Sequence, residues 1–228
     1  MAIALRCFEL VDGHVEIGAL VKDGDTVSAG TQLATIRGEA RSILSAERLA
    51  LNLLGQLSGV ATATRMLVDR VRGTNAKIID TRKTVPLLRE LQKMAVVSGG
   101  GANHRMGLFD QVLIKDNHIQ AVGSPAEAVR RARTRVGAEL TVEVEIERLE
   151  ELEEVIKAGA DIVMLDNMAP SAMRAAVEIS DGRVLLEASG GITLETVREV
   201  AESGVDLISI GGITHSSPSL DVALDFST

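Results

Sequence analysis

Ionisable side chains stand at the ends of short apolar runs throughout this chain. KIID (77–80) leads into Asp80, Thr81, Arg82 and Lys83, and QVLIK (111–115) ends in Lys115, followed by Asp116, Asn117 and His118. TVEVEI (141–146) carries Glu143 and Glu145, and DIVMLD (161–166) ends at Asp166 with Asn167 beyond it. Charged groups that punctuate buried strands are costly to desolvate, so they are rarely neutral decoration. Two later runs, VLLEA (184–188) and LISIG (207–211), finish in glycine, as Ser189-Gly190-Gly191 and Gly211-Gly212. Backbone amides at such turns, entering helix N-termini, bind phosphate well. Arg82, Lys83, Arg105 and Lys115, with His104, suit a substrate carrying several carboxylates and phosphates, because arginine grips a carboxylate bidentately and lysine makes a point contact. The acids would repel such a substrate directly, and they make sense facing ribose hydroxyls or a divalent cation held through oxygen. Plainer readings stay open: a solvated strand end for Arg82 and Lys83, a snorkelling Lys115, a structural ion-pair set for Glu143 and Glu145, and ordinary turns for the paired glycines. GGG (99–101) lacks the Gly-Lys-Ser/Thr of a P-loop and is not read as an ATP site.

Residues so scattered can meet only if the fold gathers the strand ends. From Lys77 onward, β-branched runs alternate with amphipathic stretches, the pattern of βα units around a parallel sheet. In such barrels the working groups stand at the C-terminal ends of the strands. Ser124, Pro125 and Glu127 predict a capped helix running to about Val136. Thr193 and Gly204 bracket another helix, and Gly159 ends the one before it. KAGADIVML (157–165) and ESGVDLISI (202–210) repeat one local plan, as like units should. Residues 45–71 have apolar positions near helical spacing, interrupted at Ser58-Gly59, and read as two helices meeting there. The first forty residues read as short β-like pieces joined by turns at 12–13, 22–25 and 28–31, a smaller β-rich domain that places Cys7 in a strand. The expected architecture is α/β, an incomplete parallel α/β barrel with a smaller N-terminal open-sandwich domain. The sandwich would take 1–58 together with 214–228, and the barrel 59–213.

With 46% hydrophobic and 25% charged residues in 228, the chain is suited to a globular fold, and its apolar runs fall short of the roughly 20 residues a bilayer needs. The opening residues, with Arg6 alone positive before Glu9 and Asp12, match a secretory signal poorly, so a cytoplasmic protein is expected. One cysteine excludes an internal disulfide and a thiolate metal cluster. A net charge of −8 and 1% aromatic residues argue against a nucleic-acid surface. Positive charge for an anionic substrate must therefore be local.

Longer strings are more specific. AERLALNLLGQLSGVATATR (46–65), DTRKTVP (80–86), SGGGANHRMGLFD (98–110), IKDNHI (114–119), VEVEIE (142–147), LDNM (165–168), EASGGI (187–192) and IGGITHS (210–216) resemble, in order and spacing, the quinolinate phosphoribosyltransferases. The resemblance implies transfer of phosphoribosyl from phosphoribosyl pyrophosphate to quinolinate with decarboxylation, giving nicotinate mononucleotide, pyrophosphate and carbon dioxide. It implies that Arg48, Thr81, Arg82, His104, Arg105 and Lys115 surround the quinolinate carboxylates. Lys83, Glu145 and Asp166 would face the ribose and its pyrophosphate, with Mg²⁺ as cofactor near Glu145 and Asp166 through pyrophosphate or water. Ser189, Gly190, Gly191, Gly211 and Gly212 would form the 5-phosphate loops, and Lys115, Glu145 and Asp166 would carry the chemistry. A homodimer or larger assembly is implied, with Arg48 donated to the neighbouring subunit. Against the family pattern, Met94 replaces a common tyrosine and Gly212 a common alanine, and the elements that usually precede position 1 lie outside the chain. Three other readings compete: a molybdenum-associated homologue on the same scaffold, a truncated non-catalytic quinolinate binder, and a biotinyl- or lipoyl-like carrier suggested by VKDGDTVSAGTQLATI (21–36). The carrier would have to be modified on Lys22.

Overall fold

The computed structural model describes residues 1–226. Six parallel strands form one sheet: β3 (Lys77–Ile79), β4 (Val112–Ile114), β5 (Val142–Ile146), β6 (Ile162–Asp166), β7 (Leu185–Ser189) and β8 (Leu207–Ser209). All six expected strands are present, in the order β3-β8-β7-β6-β5-β4, so β3 and β4 are the two edges and the barrel stays open between them. Strand pleating explains the pattern of β5. Val142, Val144 and Ile146, each 0–1% exposed, join the apolar core, while Glu143 and Glu145 share the other face.

Helices cover that core: α3 (Arg89–Ser98), α4 (Asp116–Val122), α5 (Pro125–Val136), α6 (Leu152–Ala158), α7 (Pro170–Ser180), α8 (Val197–Ala201) and α9 (Gly212–His215). The cap of α5 is as expected, with Ser124 Oγ accepting the Glu127 N–H at 3.2 Å and Pro125 in the first turn. Helix α8 starts later than its threonine signal: Thr193 instead shapes the preceding turn, its hydroxyl accepting the Glu195 N–H at 3.3 Å.

Two expectations at the N-terminal end are corrected. Ala2–Val11 is a helix, α1, because Ala4 and Phe8, one turn apart, bury against Ile43, Ala46 and Ala50; Cys7 is therefore helical. Strands there are limited to an antiparallel pair, β1 (Glu16–Ala19) and β2 (Ala34–Arg37). Residues Ala40–Arg70 form one unbroken helix, α2, rather than two. Ser58-Gly59 does not break it, because Gly55 and Gly59 present a bare backbone face against which residues 218–220 lie. The Leu220 N–H donates to the Gly55 carbonyl at 3.0 Å, and a Cβ on Gly59 would collide with the Pro218 carbonyl oxygen. Helix propensity lost at glycine is offset by that contact. Among the described residues no helix is long and apolar enough to cross a membrane.

Candidate active site

The C-terminal ends of the strands open into one cavity of about 830 Å³. Thr81, Arg82, Lys83, His104, Arg105, Lys115, Glu145, Asp166, Ser189, Gly190, Gly191, Gly211 and Gly212 all line it. Arg48 does not. It projects from α2 with its side chain 77% exposed, 3.7 Å from Glu47. His118 is also absent from the cavity lining; its Nδ1 accepts the Lys115 N–H at 2.9 Å at the start of α4.

The cationic side is crowded enough to perturb itself. Burial, followed by the nearby Arg82 charge, holds the Arg105 guanidinium below its ordinary value. Arg82 Nε is buried without a partner among the described residues, and an orphaned guanidinium donor in a cavity wall is a group waiting for an anion. At the ends of β5 and β6, burial raises the Glu145 carboxyl, Asp166 adds repulsion, and Lys115, with Nζ 3.5 Å from Glu145, offsets part of both. Asn167 takes the left-handed conformation (φ 53°) at the end of β6, and its Nδ2 donates to Asp166 Oδ2 at 2.6 Å. Gly190 (φ +101°) sits so close beneath it that a Cβ would strike the Asn167 carboxamide, so only glycine fits that turn.

The loop carrying His104 and Arg105 hangs on a buried ion pair that sequence reading missed. Lys93 from α3 is 1% exposed and Asp80 at the end of β3 is 0% exposed. Lys93 Nζ contacts Asp80 Oδ1 and donates to the His104 carbonyl at 2.8 Å. Asp80 Oδ1 accepts the His104 N–H at 2.9 Å, and the Asn103 carboxamide, turned nitrogen-inward, donates to Asp80 Oδ2 at 2.7 Å. Glu187 and His215 also line the cavity without having been singled out. His215 lies four residues after Gly211 on α9, a spacing visible in the sequence. A second hollow of about 450 Å³ between α1, α2 and α3 is lined largely by apolar groups such as Leu54, Leu57, Met66 and Met94, and its Arg65 is already paired with Asp69 at 3.0 Å.

An α/β barrel whose mouth gathers four cations, three acids and two glycine turns defines a protein that handles small phosphorylated polyanions. More narrowly, the chain belongs to the quinolinate phosphoribosyl transferase family, whose N-terminal domain matches residues 1–58 and whose C-terminal domain matches 60–225. The probable nicotinate-nucleotide pyrophosphorylase [carboxylating] of Bacillus subtilis is 47% identical over 224 residues, 98% of this chain and 78% of that protein. The Mycobacterium leprae nicotinate-nucleotide pyrophosphorylase [carboxylating] is 47% identical over 94% of this chain and 76% of its own. Among solved structures, NadC from Streptococcus pyogenes superposes with a TM-score of 0.94 at 42% identity, covering 97% of this chain and 78% of the other.

Proposed function

We propose that this chain is a quinolinate phosphoribosyltransferase (decarboxylating), a pentosyltransferase of NAD biosynthesis. It would make nicotinate mononucleotide, pyrophosphate and carbon dioxide from quinolinate and phosphoribosyl pyrophosphate. The observation that carries the reading is the convergence of Arg82, Lys83, Arg105 and Lys115 on one cavity that Glu145 and Asp166 also line. Relatives at 47% identity bear the corresponding name.

In this reading Arg82, Arg105 and Lys115, with Thr81 and His104, take the two carboxylates of quinolinate, and Lys83 meets the pyrophosphate. Ser189, Gly190, Gly191, Gly211 and Gly212 offer the room and backbone amides that a 5-phosphate needs. The pyridine nitrogen attacks the anomeric carbon as pyrophosphate leaves. Positive charge grows on the sugar, and Glu145 and Asp166, both lining the cavity, would stabilise it. The chain's own work is otherwise positioning: two anions are held in reach and water is displaced from between them. The Glu145–Asp166 repulsion fits a neighbouring Mg²⁺ reached through pyrophosphate or water, and that ion would neutralise the leaving group's charge. Arg48, exposed on α2 and outside this cavity, would serve a second subunit of a homodimer.

The test is pyrophosphate release from quinolinate, phosphoribosyl pyrophosphate and Mg²⁺, with nicotinate as the control acceptor. Turnover with quinolinate alone is expected. Release with nicotinate instead, or binding of quinolinate without release, would overturn the assignment.

A further inference from the structure

At the cavity floor lie two glutamates with no role in the chemistry above, Glu187 on β7, which lines the cavity, and Glu143 on β5 behind it, both 0% exposed. His104 Nε2 is 3.0 Å from Glu143 Oε2 and 3.6 Å from Glu187 Oε2. Glu143 Oε2 also accepts from Gln111 Nε2 at 2.6 Å. On the other side of the ring, the Arg105 N–H donates to His104 Nδ1 at 2.7 Å. A ring nitrogen that accepts carries no proton, so the imidazole proton is on Nε2 and faces Glu143. Burial opposes a second proton on His104, and the hydrogen bond and charge of Glu143, with the charge of Glu187, outweigh it and pull the pKa upward. That proton would have to enter at Nδ1, directly against the Arg105 N–H. That contact at Nδ1 favours the neutral Nε2–H form against the upward pull.

Three carboxylate oxygens remain without a partner among the described residues: Glu143 Oε1 and both oxygens of Glu187. Each buried acceptor left so is costly, and a pair of adjacent buried anions costs more. Two occupants would relieve this. A divalent cation could use one atom from each of His104, Glu143 and Glu187, which lie within 4.8 Å of one another. Coordination through Nε2, however, requires the other ring proton on Nδ1, where the Arg105 N–H already points. A single proton on Glu187 meets no such conflict. It turns Glu187 into a donor to Glu143 Oε1 and removes one negative charge from under an anion site.

We infer that Glu187 is a positioning residue of the substrate cavity: a neutral carboxylic acid that donates to Glu143 and, through Glu143, locks His104 as the Nε2–H tautomer beneath the anion site. The inference rests on the function proposed above. Burial first, then the Glu143 charge, push the Glu187 carboxyl up to about 8. For an acid raised in the folded protein the proton is held below that value and lost as pH rises through it. The groups facing Glu187 are Glu143 from β5, His104 from the loop before β4 and the Ser209 hydroxyl from β8. His104 and the Ser209 hydroxyl pull the Glu187 carboxyl down, but burial and Glu143 outweigh them, so above about pH 8 a second anion appears under the floor and quinolinate binds more weakly.

Two measurements test this. The infrared difference spectrum between wild type and Glu187→Gln near neutral pH is expected to show a carboxylic-acid carbonyl band belonging to the wild type, one that disappears in alkali. It needs neither substrate nor turnover. In kinetics, Glu187→Gln keeps the shape and a donor, so the quinolinate KM at neutral pH should stay within about threefold of wild type and lose its alkaline rise. Glu187→Ala should raise that KM about tenfold or more with kcat and the phosphoribosyl pyrophosphate KM little changed. Absence of the acid band, or a Gln variant as impaired as the Ala variant, would overturn the inference. An acid band in a protein that does not turn over quinolinate would instead overturn the functional reading and leave the neutral Glu187 standing.

Discussion

Replacing Lys93 by methionine isolates the clamp on the His104–Arg105 loop, because the side chain keeps its length while Asp80 loses its cation. Breaking one partner of a buried pair costs about 3–5 kcal/mol. Here Asp80 retains the His104 N–H at 2.9 Å and the Asn103 carboxamide at 2.7 Å, which offset part of the stranded charge and point to about 3–4 kcal/mol. At about 2–4 °C per kcal/mol for a chain of this size, the melting temperature should fall by about 6–16 °C. Urea titration should move the midpoint and leave the slope unchanged. The penalty should also depend on pH. Burial raises the Asp80 carboxyl, against the Lys93 hydrogen bond and charge that lower it, so removing Lys93 raises it further. A raised acid favours the fold fully below its unfolded pKa of about 4 and loses that contribution as pH rises through the folded value. The cost of Lys93→Met should therefore shrink as pH is lowered from neutral toward about 5, and Asp80→Asn added to it should recover part of the loss. A penalty below about 1 kcal/mol, or one equal at both pH values, would refute the role assigned to the pair.

Arg105→Ala and Lys115→Ala should each lower kcat/KM for quinolinate by about ten- to hundredfold, the worth of one charged hydrogen bond, while phosphoribosyl pyrophosphate binding by calorimetry changes far less; equal losses would mean the two subsites are misassigned. Arg48→Ala should inactivate the enzyme, and mixing it with Lys115→Ala subunits should restore a fraction of activity in a refolded assembly. Failure to complement would show that Arg48 serves its own subunit or none. Gly59→Ala should destabilise by about 1–3 kcal/mol through overpacking against residues 218–220, read from thermal melts, and deleting those residues should abolish the difference.

The strands and most of the cavity lining were legible because an ionic residue at the end of a β-branched run is a strong local signal. Asp80, Lys115 and Asp166 each stand there. Glu187 gives the same signal within VLLEA, but the glycines just after it carry the stronger signal, for phosphate. Lys93 gave none: in RELQKMAVVS it looks like an ordinary solvated helix lysine, and only the packing of α3 on the end of β3 buries it. Gly59 misled for a related reason, because its contact with Pro218 lies 159 positions away in sequence. The N-terminal helix is hard to read because a short apolar run such as AIALRCFELV is compatible with either period, and only the Ala4–Phe8 spacing favours the helix.

The open side of the barrel has a dynamic consequence. The segment spanning the gap is tied to β3 by backbone bonds from Ala102 N–H to the Ile78 carbonyl and from Asp80 N–H to the Ala102 carbonyl. Beyond Ala102, toward β4, its described contacts are made by side chains, such as Arg105 to the Gln111 carbonyl at 3.3 Å. Amides ladder-bonded on both sides in β5, β6 and β7 should exchange with solvent only through global unfolding, whereas those of Arg105–Asp110 should exchange through small local openings. The stretch that carries Arg105 into the cavity should thus breathe while the strands beneath it stay shut, so the cavity's cationic rim and its floor should differ in exchange rate.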